Sequence, residues 1–302
     1  FIKKDKVKLL RLPVHSKNPI LILFNTLVLI VYIVIFKINI IHARSRAPAW
    51  SCYFASLITG RVFVTTFHGT YNFKSNLKKF YNSIMLRARL TIAGSNFIFS
   101  HINENYSEYL SREKKLRVIF RGINVDYYNS KNISVLKQEK LKQEWSLSSN
   151  KFTILLPGRL TNWKGQEKFI ESLNILAEDY DVNNFQAIIL GSDQGRKVYS
   201  KKLINLVERY NLNKKVKFIS HCKEMPLAYS LADAVVSASI EPEAFGRVSV
   251  EAQSMGKPII ASNIGGSKET VINKKTGFLY KHDDPRELAK SLNTVIQLSP
   301  DE

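Results

Sequence analysis

Two carboxylates, Glu243 and Glu251, stand in E-x7-E spacing within EPEAFGRVSVEAQSMGKPIIAS, and two cations, Arg159 and Lys164, lie upstream in LLPGRLTNWKG. These residue types suit a ligand with a diphosphate at its centre and hydroxyl-rich groups on either side. Arg offers a planar fork of donors and Lys a compact point charge, so together they can hold phosphates. Fixed cations in a water-poor site stabilise a departing diphosphate without reorganising, which is usually the largest catalytic contribution available. Ionised carboxylates only accept hydrogen bonds, so Glu251 suits the two hydroxyls of a ribose and Glu243 those of a second sugar. Arg247 adds a further cation beside them, and Gly158, Phe245 and Gly246 complete the candidate set.

The elements that must position these groups are legible around them. Residues 152–156 form an apolar run ending in Pro157-Gly158, which reads as a buried strand delivering Arg159 and Lys164 from its carboxyl end, where open α/β sheets bind ligands. Residues 234–238 read as a second short strand; the chain then breaks at Glu241-Pro242 and resumes at Gly246 ahead of a helix-compatible run. A loop that feeds a helix start offers free backbone N–H groups to anions. Further strands are predicted at 185–190, 216–219 and 258–261, with helices at 166–178, 197–210, 225–231, 249–255 and 285–296, an alternation that specifies a doubly wound parallel sheet. In the first half, strands are predicted at 38–42, 61–66, 90–94 and 116–120. The polar stretch 128–149, with a helix around Gln143-Glu144, is the natural boundary and divides the chain into domains 1–129 and 130–302. At 302 residues, with 45% hydrophobic and 11% aromatic content, the chain is large enough for two cores.

Each motif has a plainer reading by itself. An E-x7-E pair occurs on many helices, Lys164 fits a surface lysine, and a histidine at position 68 fits a packed core imidazole. In combination the motifs resemble the glycosyltransferases of the GT-B fold, specifically family 4, the retaining enzymes with an E-x7-E signature. Gly158 to Gly165 is similar to that family's phosphate-binding segment, Ser192-Asp193-Gln194-Gly195 to its next glycine turn, and Gly265-Gly266-Ser267-Lys268-Glu269 to its GGxxE loop. Thr66-Phe67-His68-Gly69-Thr70 resembles its acceptor-domain histidine, and Arg121-Gly122-Ile123-Asn124-Val125-Asp126 its interdomain segment.

The resemblance implies two Rossmann-like, doubly wound parallel-sheet domains facing a cleft, the first on the acceptor side and the second binding a nucleotide sugar. It implies transfer of a hexose from a UDP, GDP or ADP sugar to a saccharide or lipid-linked acceptor, with retention, as in lipopolysaccharide or other envelope glycan synthesis. Glu243 would orient the sugar, Glu251 the ribose, Arg159 and Lys164 the diphosphate, and His68 sugar and acceptor. No cofactor beyond the donor and no divalent cation is expected, Arg159 and Lys164 taking the metal's place. The chain opens with basic residues 1–11 where relatives supply a strand and a glycine-rich loop, and it stops at Glu302 where they continue into a last helix. The first domain is therefore expected to be incomplete. The alternatives are an inactive nucleotide-sugar-binding remnant and a nucleotide-sugar epimerase of the same fold.

Charge adds a second expectation. Residues 1–129 carry 20 Lys or Arg against 5 Asp or Glu, and residues 130–302 carry 25 against 20, within a net charge of +20. A basic first domain suits an anionic acceptor or an anionic membrane surface, and residues 71–90, which mix Lys74, Lys78, Lys79, Arg87 and Arg89 with apolar residues, suit a basic amphipathic helix in a headgroup layer. Zinc-finger spacing and basic-zipper patterns are absent and the lysines are dispersed, so nucleic acid is not an expected partner. Residues 20–36 form an almost unbroken apolar run at the lower limit for a bilayer span, but Pro19 suits a helix start and residues 38–42 read as a separate strand. Cys52 and Cys222 fall in different domains without metal spacing, consistent with a reducing compartment. The expected location is cytoplasmic, peripheral on the membrane face.

Overall fold

The computed structural model describes residues 7–110 and 115–298. It divides into two compact units, Phe1–Phe120 and Arg121–Glu302. The polar stretch expected to end the first domain lies within the second unit: Tyr128 and Trp145 are buried in its core beside Tyr229.

The first unit is a parallel four-stranded sheet in the order β1 (Ile40–Ala43), β2 (Val62–Phe67), β3 (Leu90–Ala93), β4 (Lys115–Val118). Among the described residues four α-helices accompany it: α1 (Pro19–Ile35), α2 (Arg46–Thr59), α3 (Asn76–Ser83) and α4 (Asn96–Tyr106). The apolar run at 20–36 is α1, opened by Pro19 and capped by Asn18, whose side chain accepts from Ile20 N at 2.9 Å. Among the described residues no helix is long and apolar enough to cross a membrane. α1 instead packs on α2, where Ser51 Oγ donates to the Ile22 carbonyl at 3.2 Å.

The amphipathic helix expected over 71–90 is much shorter. Only Asn76–Ser83 is α-helical, started by Ser75, whose Oγ accepts from Lys78 N at 3.3 Å. Ile84, Met85 and Leu86 follow in a 3-10 turn and are fully buried. Successive residues of a helix point in different directions, so burial of all three means that protein surrounds this turn on every side. The 3-10 turn is therefore core, while α3 leaves Leu77 80% and Phe80 45% exposed.

The second unit is a parallel six-stranded sheet in the order β10, β9, β8, β5, β6, β7, comprising β5 (Phe152–Pro157), β6 (Phe185–Leu190), β7 (Val216–Ile219), β8 (Ala234–Ser237), β9 (Ile259–Ser262) and β10 (Gly277–Tyr280). Its helices are α5 (Val135–Glu144), α6 (Gln166–Glu178), α7 (Lys197–Arg209), α8 (Met225–Ser230), α9 (Arg247–Ser254), α10 (Ser267–Thr270) and α11 (Pro285–Gln297). The central strands are buried on both faces. Ile154 and Leu156 face a core shared with Phe169, Leu173 and Leu292, while Leu155 faces another with Ile188, Tyr229 and Val235. Helices on both faces of a parallel sheet explain why these strands read as continuous apolar runs. Phe169 on α6 is fully buried in the first of those cores. Phe169→Ala is expected to lower the unfolding free energy by about 3–5 kcal/mol, read as a reduced urea midpoint at unchanged slope.

Candidate functional site

Strand order reverses between β5 and β8, which are paired through Ile154 with Ala234 and Leu155 with Val235. Loops leaving neighbouring strands at such a switch point diverge and open a crevice at their carboxyl ends. From β5 the chain passes Gly158 and Arg159 into a 3-10 turn, Asn162–Lys164, that Gly165 ends in left-handed backbone with φ of 70°. A Cβ on Gly165 would fall 1.8 Å from the Ala238 carbonyl oxygen, so only glycine lets this turn press against the end of β8. Ile240 N closes the approach by donating to the Trp163 carbonyl at 2.9 Å.

This approach brings two predicted residues into contact. Lys164 Nζ lies 2.6 Å from Glu243 Oε1, with both side chains about 13% exposed. The same oxygen accepts from Ser239 Oγ at 2.5 Å. The Trp163 ring lies 4.6 Å from the ammonium, and the methylene stem of Lys164 passes over Gly158. Arg159, on the same loop, is exposed, and its carbonyl is fixed by Gln166 Nε2 at 2.8 Å. The loops after β5 and β8 thus present one neutralised cation–carboxylate pair, with the exposed Arg159 on the first of them.

The Glu243 loop is seated on the Gly265-Gly266 pair. Gly266 N donates to the Glu243 carbonyl at 2.8 Å, and a Cβ on Gly266 would lie 2.5 Å from Phe245 Cα. Phe245 is buried, and Gly246 at φ of 80° then turns the chain into α9. No side chain caps α9, so N–H groups of its first turn remain available to an anion.

Glu251 sits one turn into α9 and is buried, with three side chains around its carboxylate. Arg247 Nη2 donates to Oε1 at 2.7 Å and the Tyr229 hydroxyl to Oε2 at 2.8 Å. The Tyr128 hydroxyl also hydrogen-bonds it, and burial followed by the Glu251 charge pushes that phenol up to about 12. The Tyr229 phenol is pushed well above its ordinary value, first by burial and then by Glu251. Each carboxylate oxygen has two lone pairs, so acceptor capacity for hydroxyl groups remains.

His68 belongs to the first unit, just past β2. Its Nε2 accepts from Arg44 Nε at 3.1 Å, which requires a neutral ring with the proton on Nδ1. The loop after it is held through Tyr71, whose carbonyl accepts from Tyr106 Oη at 2.6 Å and Asn82 Nδ2 at 2.7 Å, while Arg46 lies 4.5 Å over its ring. His101 Nε2 donates to the Thr70 carbonyl, and Asn105 Nδ2 lies 3.3 Å from His101 Nδ1.

Ser239, Trp163, Tyr128, Tyr229 and Arg44 were not singled out from the sequence. A serine at a strand end and tyrosines in apolar runs carry no signal that separates support of a site from packing. An Asp-x-Asp triplet, the spacing of many metal sites, is also present as Asp179-Tyr180-Asp181. It ends α6, at the opposite end of that helix from Lys164, with Asp179 bonded to Arg286 at 3.4 Å and Asp181 to Asn183 at 3.1 Å.

Fold and site together define a doubly wound α/β protein with its candidate crevice at a switch point. Residues 137–302 match the family model "Glycosyl transferases group 1" and residues 5–127 match "Glycosyltransferase Family 4"; the chain belongs to the family 4 glycosyltransferases of GT-B fold. It is 27% identical over 184 residues to the D-inositol 3-phosphate glycosyltransferase of Corynebacterium glutamicum, spanning 60% of this chain and 43% of that protein. It is 25% identical over 274 residues to spore coat protein SA of Bacillus subtilis, covering 87% of this chain and 70% of that one. The chain thus spans less than half of the first relative. Among solved structures, a glycosyltransferase from Rickettsia africae superposes with a TM-score of 0.83 at 36% identity, covering 96% of this chain and 74% of the other. Anabaena HepE, solved with UDP and glucose, superposes with a TM-score of 0.78 at 28% identity over 92% of this chain and 72% of its own.

Two outcomes test the geometry. Tyr229→Phe removes one donor from a buried carboxylate and is expected to cost about 1–3 kcal/mol in urea unfolding. Burial, partly opposed by the Thr70 carbonyl and Glu104, lowers the pKa of His101 below the unfolded 6.5. A depressed folded value means the stabilisation is complete above the unfolded value and is lost as pH falls through the folded one. The thermal midpoint should therefore fall between about pH 7.5 and about pH 5, and fall less in His101→Gln.

Proposed function

We propose that this protein transfers a hexose from a nucleoside-diphosphate sugar to a saccharide or lipid-linked acceptor, with the anomeric configuration retained and without a bound divalent cation. The observation that carries this reading is the Lys164–Glu243 pair spanning the loops after β5 and β8, with Ser239 on the same carboxylate oxygen. In this reading Lys164 and the exposed Arg159 take the diphosphate, Glu243 turns to the hydroxyls of the transferred sugar, and Glu251, held by Arg247, Tyr229 and Tyr128, accepts from the ribose. The N–H groups at the start of α9 face the same phosphates, and Gly158, Phe245 and Gly246 shape the pocket wall. His68, neutral and steadied by Arg44, positions sugar and acceptor. No carboxylate nucleophile is required, because the departing phosphate takes the acceptor's proton. The relation to HepE, solved with UDP and with UDP-glucose, supports a uridine donor. The basic first half favours an acceptor that is anionic or presented at an anionic membrane surface, in envelope glycan synthesis such as that of lipopolysaccharide, on its cytoplasmic side.

The test is a panel of radiolabelled UDP, GDP and ADP sugars incubated with the protein, with and without membranes, the product's anomeric configuration being read by NMR. Acceptor-dependent transfer with retention is expected. Release of a rearranged free sugar would indicate an epimerase, and nucleotide uptake without turnover a binding remnant. Lys164→Ala is expected to reduce turnover by about a hundredfold or more, since it removes a cation aimed at developing negative charge. It should also lower stability by about 1–3 kcal/mol, because Glu243 keeps only Ser239 as a donor.

A further inference from the structure

We infer that Gln166 is a positioning residue for the diphosphate, holding the backbone of Arg159 so that its guanidinium is aimed before a donor arrives, and that Tyr199 keeps the Gln166 amide in the orientation this requires. The inference rests on the donor reading above and adds to it the residues that set one of its two cations. Gln166 is the first residue of α6, directly after Gly165, and is fully buried, yet its side chain does not cap that helix. It turns back to the loop after β5, where Nε2 donates to the Arg159 carbonyl at 2.8 Å. The N–H of the same peptide unit, that of Leu160, donates to the Ser192 carbonyl at 3.0 Å, and the Leu160 side chain is buried in the core. Both polar atoms of the peptide that leaves Arg159 are therefore fixed, one from α6 and one from the loop after β6. On the other side of Arg159, Gly158 N donates to the Leu190 carbonyl at 2.8 Å. Planar peptides anchored before and after a residue leave its two backbone torsions little freedom, which sets the direction in which the Arg159 side chain leaves the loop.

The amide can do this in one orientation only. Tyr199 Oη, from α7, donates to Gln166 Oε1 at 3.2 Å, so the amide nitrogen faces Arg159; turned over, the amide would set two carbonyl oxygens against each other. Burial and then the charge of Glu167 raise the Tyr199 phenol, against one hydrogen bond from the Glu167 backbone, so the hydroxyl stays protonated and able to donate. Glu167, next in the chain, is itself drawn to α7 by Lys202, with 2.5 Å between Oε2 and Nζ. The first turn of α6 is thus tied to the loop carrying Arg159 on one side and to α7 on the other. Packing alone does not call for a buried amide here, since burying one costs free energy unless it is hydrogen-bonded, and an apolar side chain of similar size avoids that cost. What the amide adds is a hydrogen bond to the residue whose side chain is the exposed cation of the site. Support of this kind lowers the ordering cost that a flexible arginine otherwise meets on binding a phosphate.

The test is calorimetric titration of the full chain with UDP, GDP and ADP, and ligand-detected NMR titration with the nucleoside of whichever diphosphate the parent binds most tightly. Gln166→Leu is expected to weaken the diphosphate about tenfold and to leave the nucleoside within about twofold, because the lost preorganisation falls on the cation alone. Tyr199→Phe removes only the hydroxyl of a half-buried side chain and should weaken the diphosphate by about threefold. In an Arg159→Ala background, Gln166→Leu should add less than about twofold, since its effect passes through Arg159. Equal loss of diphosphate and nucleoside, or losses that add in the double variant, would mean a merely structural role and overturn the proposal. So would unchanged diphosphate affinity in Gln166→Leu. Circular dichroism and urea midpoints accompany each titration; should Gln166→Leu fail to fold, Tyr199→Phe, alone and combined with Arg159→Ala, decides by the same criteria. A parent that binds none of the three diphosphates would bring down the donor reading and this inference with it, an outcome distinct from a parent that binds and variants that match it.

Discussion

Lys164 and Glu243 are 79 residues apart in the chain and belong to loops that leave two different strands, yet they meet at 2.6 Å. That contact requires β5 and β8 to be neighbours, and they are neighbours only because the sheet grows outward in both directions from β5. It also requires the turn ending at Gly165 to approach the β8 backbone more closely than any side chain permits. A partly buried ion pair contributes little stability by itself, since desolvation offsets most of the Coulomb attraction. Its importance lies in position: it fixes the two loops against each other and holds a cation and a carboxylate where a charged ligand would enter.

The two glutamates of the E-x7-E pair are held differently. Glu243 sits on a loop, half of its carboxylate committed to Lys164 and Ser239, and its backbone rests on Gly266. Glu251 sits on a helix, buried, with an arginine and two phenols around it. The first arrangement can exchange partners at small cost because one competing anion can take the lysine. The second is a preorganised acceptor whose orientation is set before any ligand arrives, the condition under which a hydrogen bond discriminates best. One residue type therefore serves two tasks, and the difference comes from the elements that carry them.

Much of the second unit was legible because its strands are buried on both faces and read as unbroken apolar runs, so β5, β6, β7 and β8 fall within a residue of their expected limits. β10 was missed because GFLY is short and follows Lys274-Lys275-Thr276, a stretch that reads as a surface turn. In the first unit α2 and α4 went unread; their apolar residues are diluted by Ala and Ser, or by Asn and His. The segment at 71–90 reads as one long helix from its mix of basic and apolar residues, but the α-helix stops at Ser83 because Ile84, Met85 and Leu86 go into the core while Leu77 and Phe80 stay exposed. Lys164, Glu243 and Glu251 were visible because charge chemistry restricts residue type. The residues that hold them, Ser239, Tyr128 and Tyr229, were not, because a hydroxyl near a strand looks the same whether it supports a carboxylate or packs.

The same reasoning explains why α1 was hard to place from its sequence. A run of seventeen residues with mean hydropathy this high satisfies a span, a core helix and an interfacial helix alike. What separates them is where the few polar atoms go. A spanning helix would turn Asn25 and Thr26 to neighbouring helices within lipid, and a core helix would bury its apolar side chains. In α1 the asparagine and threonine are buried against protein while seven large apolar side chains face outward, flanked by lysines and an arginine. On the inward face the Asn25 amide donates to the Pro13 carbonyl at 3.3 Å and Thr26 Oγ1 to the Ile22 carbonyl at 2.8 Å, while Asn25 Oδ1 is buried without a partner among the described residues. Those two hydrogen bonds fix which side of α1 turns to the protein, a distinction that hydropathy summed along the run does not carry.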